Sequence, residues 1–477
     1  MLFNSIQFSI FFVVVTIVYF TINHKYRWFL LLASSCYFYM VFIPIYILIL
    51  GFTIVIDYFA GIYLEETNGK NRKIFLIASL IANIGVLATF KYFNFINENL
   101  SVFLNGVGYQ NPIPFLSILL PIGLSFHTFQ AMSYTIEVYR GNQKAERKFG
   151  IYALYVMFYP QLVAGPIERP QNLLHQFYEK HEFDYYRVVE GLKLMVWGLF
   201  KKIVIADRLA IYVNAVYNNP QHHNGLTLLL ATIFFAFQIY CDFSGYSEIA
   251  IGAAKVMGFN LMTNFSRPYL SKSISEFWKR WHISLSTWFK DYLYISLGGN
   301  RVSIPRCYLN LMIVFIISGF WHGANWTFII WGTLNGLYLV FAIQTYNFRN
   351  KLSKKIGISR LPKLNIALQI LTTFAFICFA WIFFRASNLS DALVIIKGIS
   401  SFNGPIYYEN NISSVIFPLL GISFLIMVET KWEFYHGNIS FFHNSNWLVR
   451  NISYALLIII ILMIGVFDGG QFIYFQF

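Results

Sequence analysis

Residues 226–250 read LTLLLATIFFAFQIYCDFSGYSEIA, a stretch that is apolar apart from a few hydroxyl, amide and carboxyl side chains. An apolar α-helix of about 20 residues is long enough to cross the hydrocarbon core of a bilayer. The pattern therefore predicts a membrane-spanning helix. Comparable apolar stretches follow one another along the chain, at 6–22, 28–64, 74–96, 150–166, 188–205, 309–340, 364–384, 415–428 and 452–467.

The composition of the whole chain agrees with a membrane protein. Of 477 residues, 57% are hydrophobic, 20% aromatic and 12% charged, and the mean hydropathy is +0.56. A soluble domain carries about 25% charged residues, so the composition argues against a soluble globular enzyme. With 30 Gly, 13 Pro and 4 Cys, it also excludes a collagen-like chain and a disulfide scaffold. The cysteines form no CxxC pair, and we expect neither a metal site nor a required disulfide.

The excess of basic residues has a topological explanation. The net charge is +14, from 35 Lys and Arg against 21 Asp and Glu. The basic residues lie in short loops between apolar stretches, as the positive-inside rule describes for cytoplasmic loops. We therefore expect contacts with membrane lipids, no nucleic-acid partner, and an amino terminus outside. Residues 1–22 lack a basic start and a cleavage site, which predicts a retained span rather than a signal peptide.

These stretches predict an all-α polytopic membrane protein with about 11–13 transmembrane or re-entrant helices. Stretch 28–64 is too long for one span and predicts a hairpin broken near Pro44. Stretch 309–340 has basic residues on both sides and predicts a re-entering hairpin. One of three middle stretches is expected not to span, since the loops around them both look cytoplasmic: 150–166, 188–205 or 226–250.

Ionisable residues inside apolar stretches are candidates for function, because each needs a partner or a water-filled cavity. His127 follows Pro121 and Gly123, which should interrupt a helix and free backbone groups. It is either a satisfied histidine at a kink or part of a cavity. Asp242 and Glu248 lie on neighbouring turns of one predicted helix, where a structural pair is the alternative to a catalytic role.

Residues 274–297 combine aromatic and basic side chains with one histidine. As one continuous helix, they would pair Glu276 with Arg280 at i, i+4 and place His282 on an aromatic face. His282 is then either an interfacial aromatic-belt residue or a functional group. The predicted face consists of Trp278, Trp281, His282, Leu285, Trp288, Phe289 and Tyr292.

The segment 319–327, GFWHGANWT, places His322 deep in an apolar stretch beside a glycine. Gly323 would let a substrate or another backbone approach closely. A neutral imidazole, with an ordinary pKa of about 6.5, is a suitable base at cellular pH. The chain has no second ligand at metal-binding spacing, no GxSxG and no Walker loop, so zinc hydrolase, serine esterase and NTPase functions are unsupported.

With these motifs, the sequence resembles the membrane-bound O-acyltransferases, most closely their bacterial alginate O-acetylation branch. The resemblance covers most of the chain. Its most specific blocks are EFWKRWHISLSTW at 276–288 and FWHGANW at 320–326. Further matching blocks are LPIG at 120–123, AGPIERP at 164–170, YCDFSGY at 240–246, DYLY at 291–294, LGGNR at 297–301 and WIFFRA at 381–386.

The resemblance implies one integral-membrane domain over 1–477 with helices around a central channel. Within it, peripheral spans would occupy 1–110, the catalytic core 113–345, and the carboxy-terminal spans 364–477. The implied activity is transfer of an acyl group, here acetyl, from a cytoplasmic thioester to a surface polysaccharide or peptidoglycan. The donor would be acetyl-CoA as a substrate, with no bound cofactor, and the location the bacterial cytoplasmic (inner) membrane.

The resemblance also implies roles for individual residues. His322 matches the catalytic histidine in the middle of the channel, and His282 the second, supporting polar residue. Asn335 is a departure, because a histidine is expected there; an amide donates a hydrogen bond but does not shuttle a proton. Channel-lining candidates are Trp281, Trp321, Gly323, Asn325, Asn335, Asp242 and His127. Candidates for the donor phosphates, with lipid headgroups as the alternative ligand, are Lys272, Lys279 and Arg280.

The carboxy-terminal tail, DGGQFIYFQF at 468–477, is similar to the terminal Phe-Ile-Tyr motif of the small protein that acts beside the D-alanyl transferase of this superfamily. The likeness implies that Tyr474, outside the membrane, receives the acyl group and passes it on. The partner would be an extracytoplasmic transferase or esterase-like protein of the SGNH-hydrolase type. The alternative is an ordinary aromatic anchor at the membrane interface.

Two other functions stay open on the sequence alone. One is a D-alanyl or other acyl transfer within the same superfamily. The other, of a different class, is a noncatalytic exporter of a glycan or lipid-linked sugar, since many spans with scattered polar groups also suit transport.

Overall fold

The computed structural model describes residues 1–117, 121–163, 165–408, 412–435 and 445–467. Within these ranges the regular structure is helical and there is no strand, which confirms the all-α class. The first ten helices are α1 (Ile6–Thr21), α2 (His24–Met40), α3 (Tyr46–Glu66), α4 (Gly69–Leu87), α5 (Phe93–Gly106), α6 (Leu124–Arg140), α7 (Phe149–Met157), α8 (Tyr159–Leu162), α9 (Pro170–Leu173) and α10 (Tyr185–Leu199).

The chain then continues through a second series of helices. These are α11 (Asp207–Tyr217), α12 (Gly225–Met257), α13 (Ile274–Arg280), α14 (Ile283–Trp288), α15 (Ile304–His322), α16 (Trp326–Gln344), α17 (Tyr346–Lys355), α18 (Pro362–Arg385), α19 (Leu389–Ser401), α20 (Ser413–Phe434) and α21 (Trp447–Ile464).

Eight helical runs in the described ranges are long and apolar enough to cross a membrane, so this is a multi-pass membrane protein. Other apolar stretches form shorter or more polar helices, which is why this number lies below the 11–13 spanning or re-entrant helices expected. Stretch 150–166, for example, contains the 9-residue helix α7 and the 4-residue helix α8. The eight runs are α3, the continuous run Gly69–Gly106, α12, α15, α16, α18, α20 and α21.

Both predicted hairpins are present. Helices α2 and α3 are separated by a break that contains Pro44, at the place where the length of the apolar stretch required one. Helices α15 and α16 form the second hairpin. Each of these two helices has 19 residues and is long enough to cross a membrane, so re-entry of this hairpin stays a prediction.

The contacts divide the chain into two compact units. The first comprises Met1–Met195 and Tyr246–Met262, and the second comprises Val196–Gly245 and the chain from Thr263 onward. The unit boundary falls inside the predicted core 113–345, and the three-part division by sequence stays a prediction.

In the first unit, a buried polar network joins α3, α4 and α6. Asp57 accepts hydrogen bonds from Ser79 Oγ at 2.6 Å and from Asn83 Nδ2 at 2.9 Å. Ser79 also contacts Thr135 Oγ1 at 3.1 Å. All four side chains are buried, and each of them hydrogen-bonds to a side chain on another helix, which lowers the cost of burying polar groups in an apolar bundle.

The second unit contains a buried ionic cluster beside a π-helical stretch, Phe200–Ala206, that joins α10 to α11. Lys202 Nζ lies 2.6 Å from Asp242 Oδ1 and 2.7 Å from Asp207 Oδ1, and all three side chains are at most 4% exposed. Next to it, Lys201 Nζ lies 4.0 Å from Glu429. One ammonium thus holds two carboxylates together inside the unit, and Asp242 has the structural partner that the sequence left open.

Replacing Lys202 with Met should strongly destabilise the protein. The two carboxylates would lose their shared cation while staying buried, and removal of one partner from a buried ion pair costs about 3–5 kcal/mol of unfolding free energy. Thermal unfolding of the purified protein in detergent measures the effect.

Lys193→Met is the matched control, because Lys193 forms a more exposed ion pair with Glu190 on α10, at 2.8 Å. A surface pair of this kind contributes at most about 1 kcal/mol. Equal melting temperatures for the two variants would contradict a structural role for the Lys202 cluster.

Candidate active site

The hairpin of α15 and α16 positions His322 through close helix packing. A Cβ atom on Gly319 would lie 2.3 Å from the Phe328 carbonyl oxygen. One on Gly332 would lie 2.2 Å from the Phe315 carbonyl oxygen. Only glycine fits at these contacts, so the two backbones meet directly, as small residues permit in membrane proteins. His322 is the last residue of α15 and is therefore fixed against α16.

Aromatic rings surround the His322 imidazole. The ring centroid of His322 lies 4.9 Å from that of Trp321, 5.0 Å from that of Trp331 and 5.3 Å from that of Phe384, each at a steep angle. The residue is 4% exposed. The structure therefore packs this histidine against three aromatic rings.

The residues that follow His322 stabilise the turn between α15 and α16. A Cβ atom on Gly323 would come within 2.1 Å of the Phe328 ring, so no larger residue fits without movement of that ring. Asn325 caps α16 by accepting a hydrogen bond from the Thr327 backbone N–H at 3.0 Å. Both channel candidates thus have a structural role at the turn.

A chain of indole rings links the His322 enclosure to the segment that carries His282. Trp331 stacks on Trp381 at 5.8 Å, and Trp381 packs on Trp281 at 5.1 Å. Trp281 directly precedes His282. His322 thus contacts two members of the aromatic core of the second unit, Trp331 and Phe384, and His282 directly follows a third member, Trp281.

The prediction of one continuous helix over 274–297 is wrong, because the helix is interrupted at His282. Helix α13 ends at Arg280 and α14 begins at Ile283, and His282 between them adopts a left-handed backbone conformation with φ +43°. A residue with a Cβ atom rarely adopts this conformation, and the surroundings must stabilise it. The aromatic face predicted for one continuous helix is therefore interrupted at His282.

Asn264 supplies much of that stabilisation. Its backbone carbonyl accepts a hydrogen bond from the Ile283 N–H at 2.8 Å. Its side-chain Oδ1 lies 3.1 Å from His282 Nδ1, 2.9 Å from Ser284 Oγ and 3.3 Å from the Ser284 backbone nitrogen. Asn264, His282 and Ser284 are all buried. They form a polar cluster that sequence inspection missed, because neither Asn264 nor Ser284 belongs to a periodic pattern.

The His282 imidazole is enclosed by uncharged neighbours. Phe243 contacts it edge-on at 4.6 Å, and Phe265 stacks on it at 6.2 Å. Burial lowers the pKa of His282 to about 3. The side chain is therefore neutral at cellular pH.

The candidates for binding donor phosphates differ in their surroundings. Arg280 donates to Glu276 at 2.6 Å, which confirms the predicted i, i+4 pair, and to Glu433 at 2.7 Å. Its guanidinium is thus already engaged by two carboxylates. Lys272 and Lys279 are exposed.

The remaining predicted residues lie at separate places. Asn335 is buried in α16 and donates to the Trp331 carbonyl oxygen of its own helix at 2.8 Å. His127 lies in the first unit, buried in α6. Its place in a cavity stays a prediction. Tyr474 lies outside the described residues.

Known proteins are similar to this chain in sequence. The model of the membrane-bound O-acyltransferase family matches residues 147–383, which include both histidines. The probable alginate O-acetylase AlgI of Pseudomonas aeruginosa is 38% identical, over 84% of this chain and 75% of its own length. The peptidoglycan O-acetyltransferase of Helicobacter pylori is 36% identical, over 78% of this chain and 74% of its own length.

A more distant relative is the teichoic acid D-alanyltransferase of Bacillus subtilis, which is 28% identical over 55% of this chain and 68% of its own length. The acetylating relatives thus match more of the chain, at higher identity. Together with the helical membrane architecture, these matches confirm the resemblance found in the sequence. The chain belongs to the membrane-bound O-acyltransferase family, and it is an acyltransferase.

Proposed function

We propose that this protein is an O-acetyltransferase of the bacterial cytoplasmic membrane, which transfers acetyl groups from cytoplasmic acetyl-CoA for O-acetylation of a surface polysaccharide or peptidoglycan. The names and higher similarity of the acetylating relatives support acetyl over D-alanyl transfer. The observation that carries the proposal is His322, an imidazole enclosed by aromatic rings at the end of an apolar helix.

In the proposed reaction, His322 takes the proton of the incoming hydroxyl, and the hydroxyl oxygen attacks the carbonyl carbon of the thioester. A C–O bond forms and the C–S bond breaks. The proton then passes from His322 to the departing CoA thiolate, which restores the neutral imidazole. His282 is the second polar group of the site. It either accepts a hydrogen bond that orients the reacting groups or donates one to the carbonyl oxygen as negative charge develops there.

The exposed lysines Lys272 and Lys279 are proposed to attract the CoA phosphates at the cytoplasmic entrance. Arg280 has a different role in this proposal. Its two carboxylate partners make it a tie between α13 and α20.

Transfer to an external polymer requires a route from the membrane enzyme to the acceptor. We propose that Tyr474 is this relay and that an extracytoplasmic partner of the SGNH-hydrolase type completes the transfer. A phenol, with an ordinary pKa of about 10, is a better leaving group than a sugar alkoxide, so a tyrosyl ester is a competent intermediate.

Replacing His322 with Ala should abolish acetyl transfer while the protein still folds. Loss of a general base lowers the rate by about 10²–10⁴-fold. The measurement is the O-acetyl content of surface glycans, by mass spectrometry, from cells in which the variant is the only copy, together with the amount of polymer exported.

His175→Ala is the control, because His175 is an exposed histidine of the first unit. It should leave O-acetylation unchanged. If His322→Ala reduced polymer export but not its acetylation, the protein would be an exporter and the proposed function would be wrong.

The relay predicts a base-labile acetyl group on Tyr474. In membranes supplied with labelled acetyl-CoA, the label should appear on the carboxy-terminal peptide and disappear in Tyr474→Phe, because the accepting hydroxyl is absent. Tyr408→Phe makes the same change at a tyrosine that is 52% exposed and should retain the label. Undiminished polymer acetylation in Tyr474→Phe would refute the relay.

A further inference from the structure

The hydrogen bonds of Asn264 determine which end of its amide faces His282. The Ser284 backbone N–H can only donate, and it lies 3.3 Å from the Asn264 side-chain atom in question. That atom must therefore be the carbonyl oxygen, since an amide NH₂ group at this place would put two hydrogen-bond donors against each other. The Ser284 hydroxyl, at 2.9 Å, donates to the same oxygen.

The orientation of this amide in turn determines the tautomer of His282. Nδ1 lies 3.1 Å from the Asn264 oxygen, which can only accept a hydrogen bond. Nδ1 must therefore carry the proton. In a neutral imidazole only one nitrogen is protonated, so Nε2 carries the lone pair.

We propose that Asn264 is a positioning residue which holds His282 in the Nδ1-protonated form, so that His282 acts through the Nε2 lone pair as a hydrogen-bond acceptor in the site and not as a donor to the oxyanion. The inference rests on the proposed acyl transfer and decides between the two roles left open there for His282. A neutral ring with its proton on Nδ1 has no hydrogen to offer at Nε2.

The backbone around His282 fixes the direction in which Nε2 points. His282 has a left-handed backbone conformation at the break between α13 and α14. Two backbone hydrogen bonds stabilise this break, one from the Ile283 N–H to the Asn264 carbonyl and one from the Ser266 N–H to the Arg280 carbonyl at 2.9 Å. Because Asn264 contributes through both its backbone and its side chain, the ring orientation and the tautomer are set by one residue.

Two substitutions of Asn264 separate positioning from simple packing. Asn264→Leu removes the acceptor, so the tautomer is no longer fixed; kcat should fall about 100-fold or more while KM stays unchanged. Asn264→Asp keeps an oxygen for both Nδ1–H and the Ser284 N–H, so most of kcat should be retained.

The aspartate variant also predicts a change in the pH profile. A carboxylate beside the imidazole stabilises its protonated form and raises its pKa. Since the neutral ring is the active form, the acidic limb of the kcat profile should move to higher pH. Asn446→Asp is the control for the added charge, because Asn446 is an exposed helix cap whose role Asp fills equally well, and its profile should not move.

The tautomer can be measured without any activity. In ¹⁵N-histidine-labelled protein, the His282 signals are assigned by their loss in His282→Gln, and the proton should be found on Nδ1. A proton on Nε2, or an Asn264→Leu variant with wild-type kcat and pH profile, would overturn the inference. Full activity of His282→Gln would instead remove His282 from the proposed mechanism, while the tautomer measurement would still test the role of Asn264.

Discussion

A polar side chain buried inside this protein is stabilised by partners within the protein, because hydrocarbon supplies none. Asp57 meets this constraint through neutral donors and Lys202 through two carboxylates. Asn264 meets it by accepting bonds from its neighbours at the helix break. Such fixed arrangements also make chemistry feasible, since a buried neutral imidazole held in one orientation needs no reorganisation during the reaction.

The sequence predicted the helical membrane architecture well, since the length of an apolar stretch is a strong constraint. It located the break near Pro44 because 28–64 is too long for one span. It failed at 274–297, where periodicity indicated one helix. The break between the two helices at His282 depends on hydrogen bonds that Asn264 accepts, and Asn264 lies outside the segment and carries no local sequence signal.

The candidate site was predictable in part. The histidines and the glycine beside His322 stand out as polar or small residues in an aromatic context, and the structure packs each histidine against aromatic rings. Their partners did not stand out. Lys201 and Lys202 lie inside the apolar stretch 188–205 and could have signalled buried ion pairs. The cap formed by Asn325 and the tautomer set by Asn264 depend on atomic contacts.

The central claim is that acyl transfer takes place at His322 despite its aromatic enclosure. The most direct measurement is a structure of the full chain in lipid, bound to a non-hydrolysable analogue of acetyl-CoA. The reacting hydroxyl must lie between the His322 base and the thioester, which requires the acyl carbonyl carbon to be within about 5 Å of a His322 ring nitrogen. We predict that the analogue binds with its carbonyl carbon at this distance. An analogue bound elsewhere, with His322 still sealed by Trp321, Trp331 and Phe384, would contradict the account.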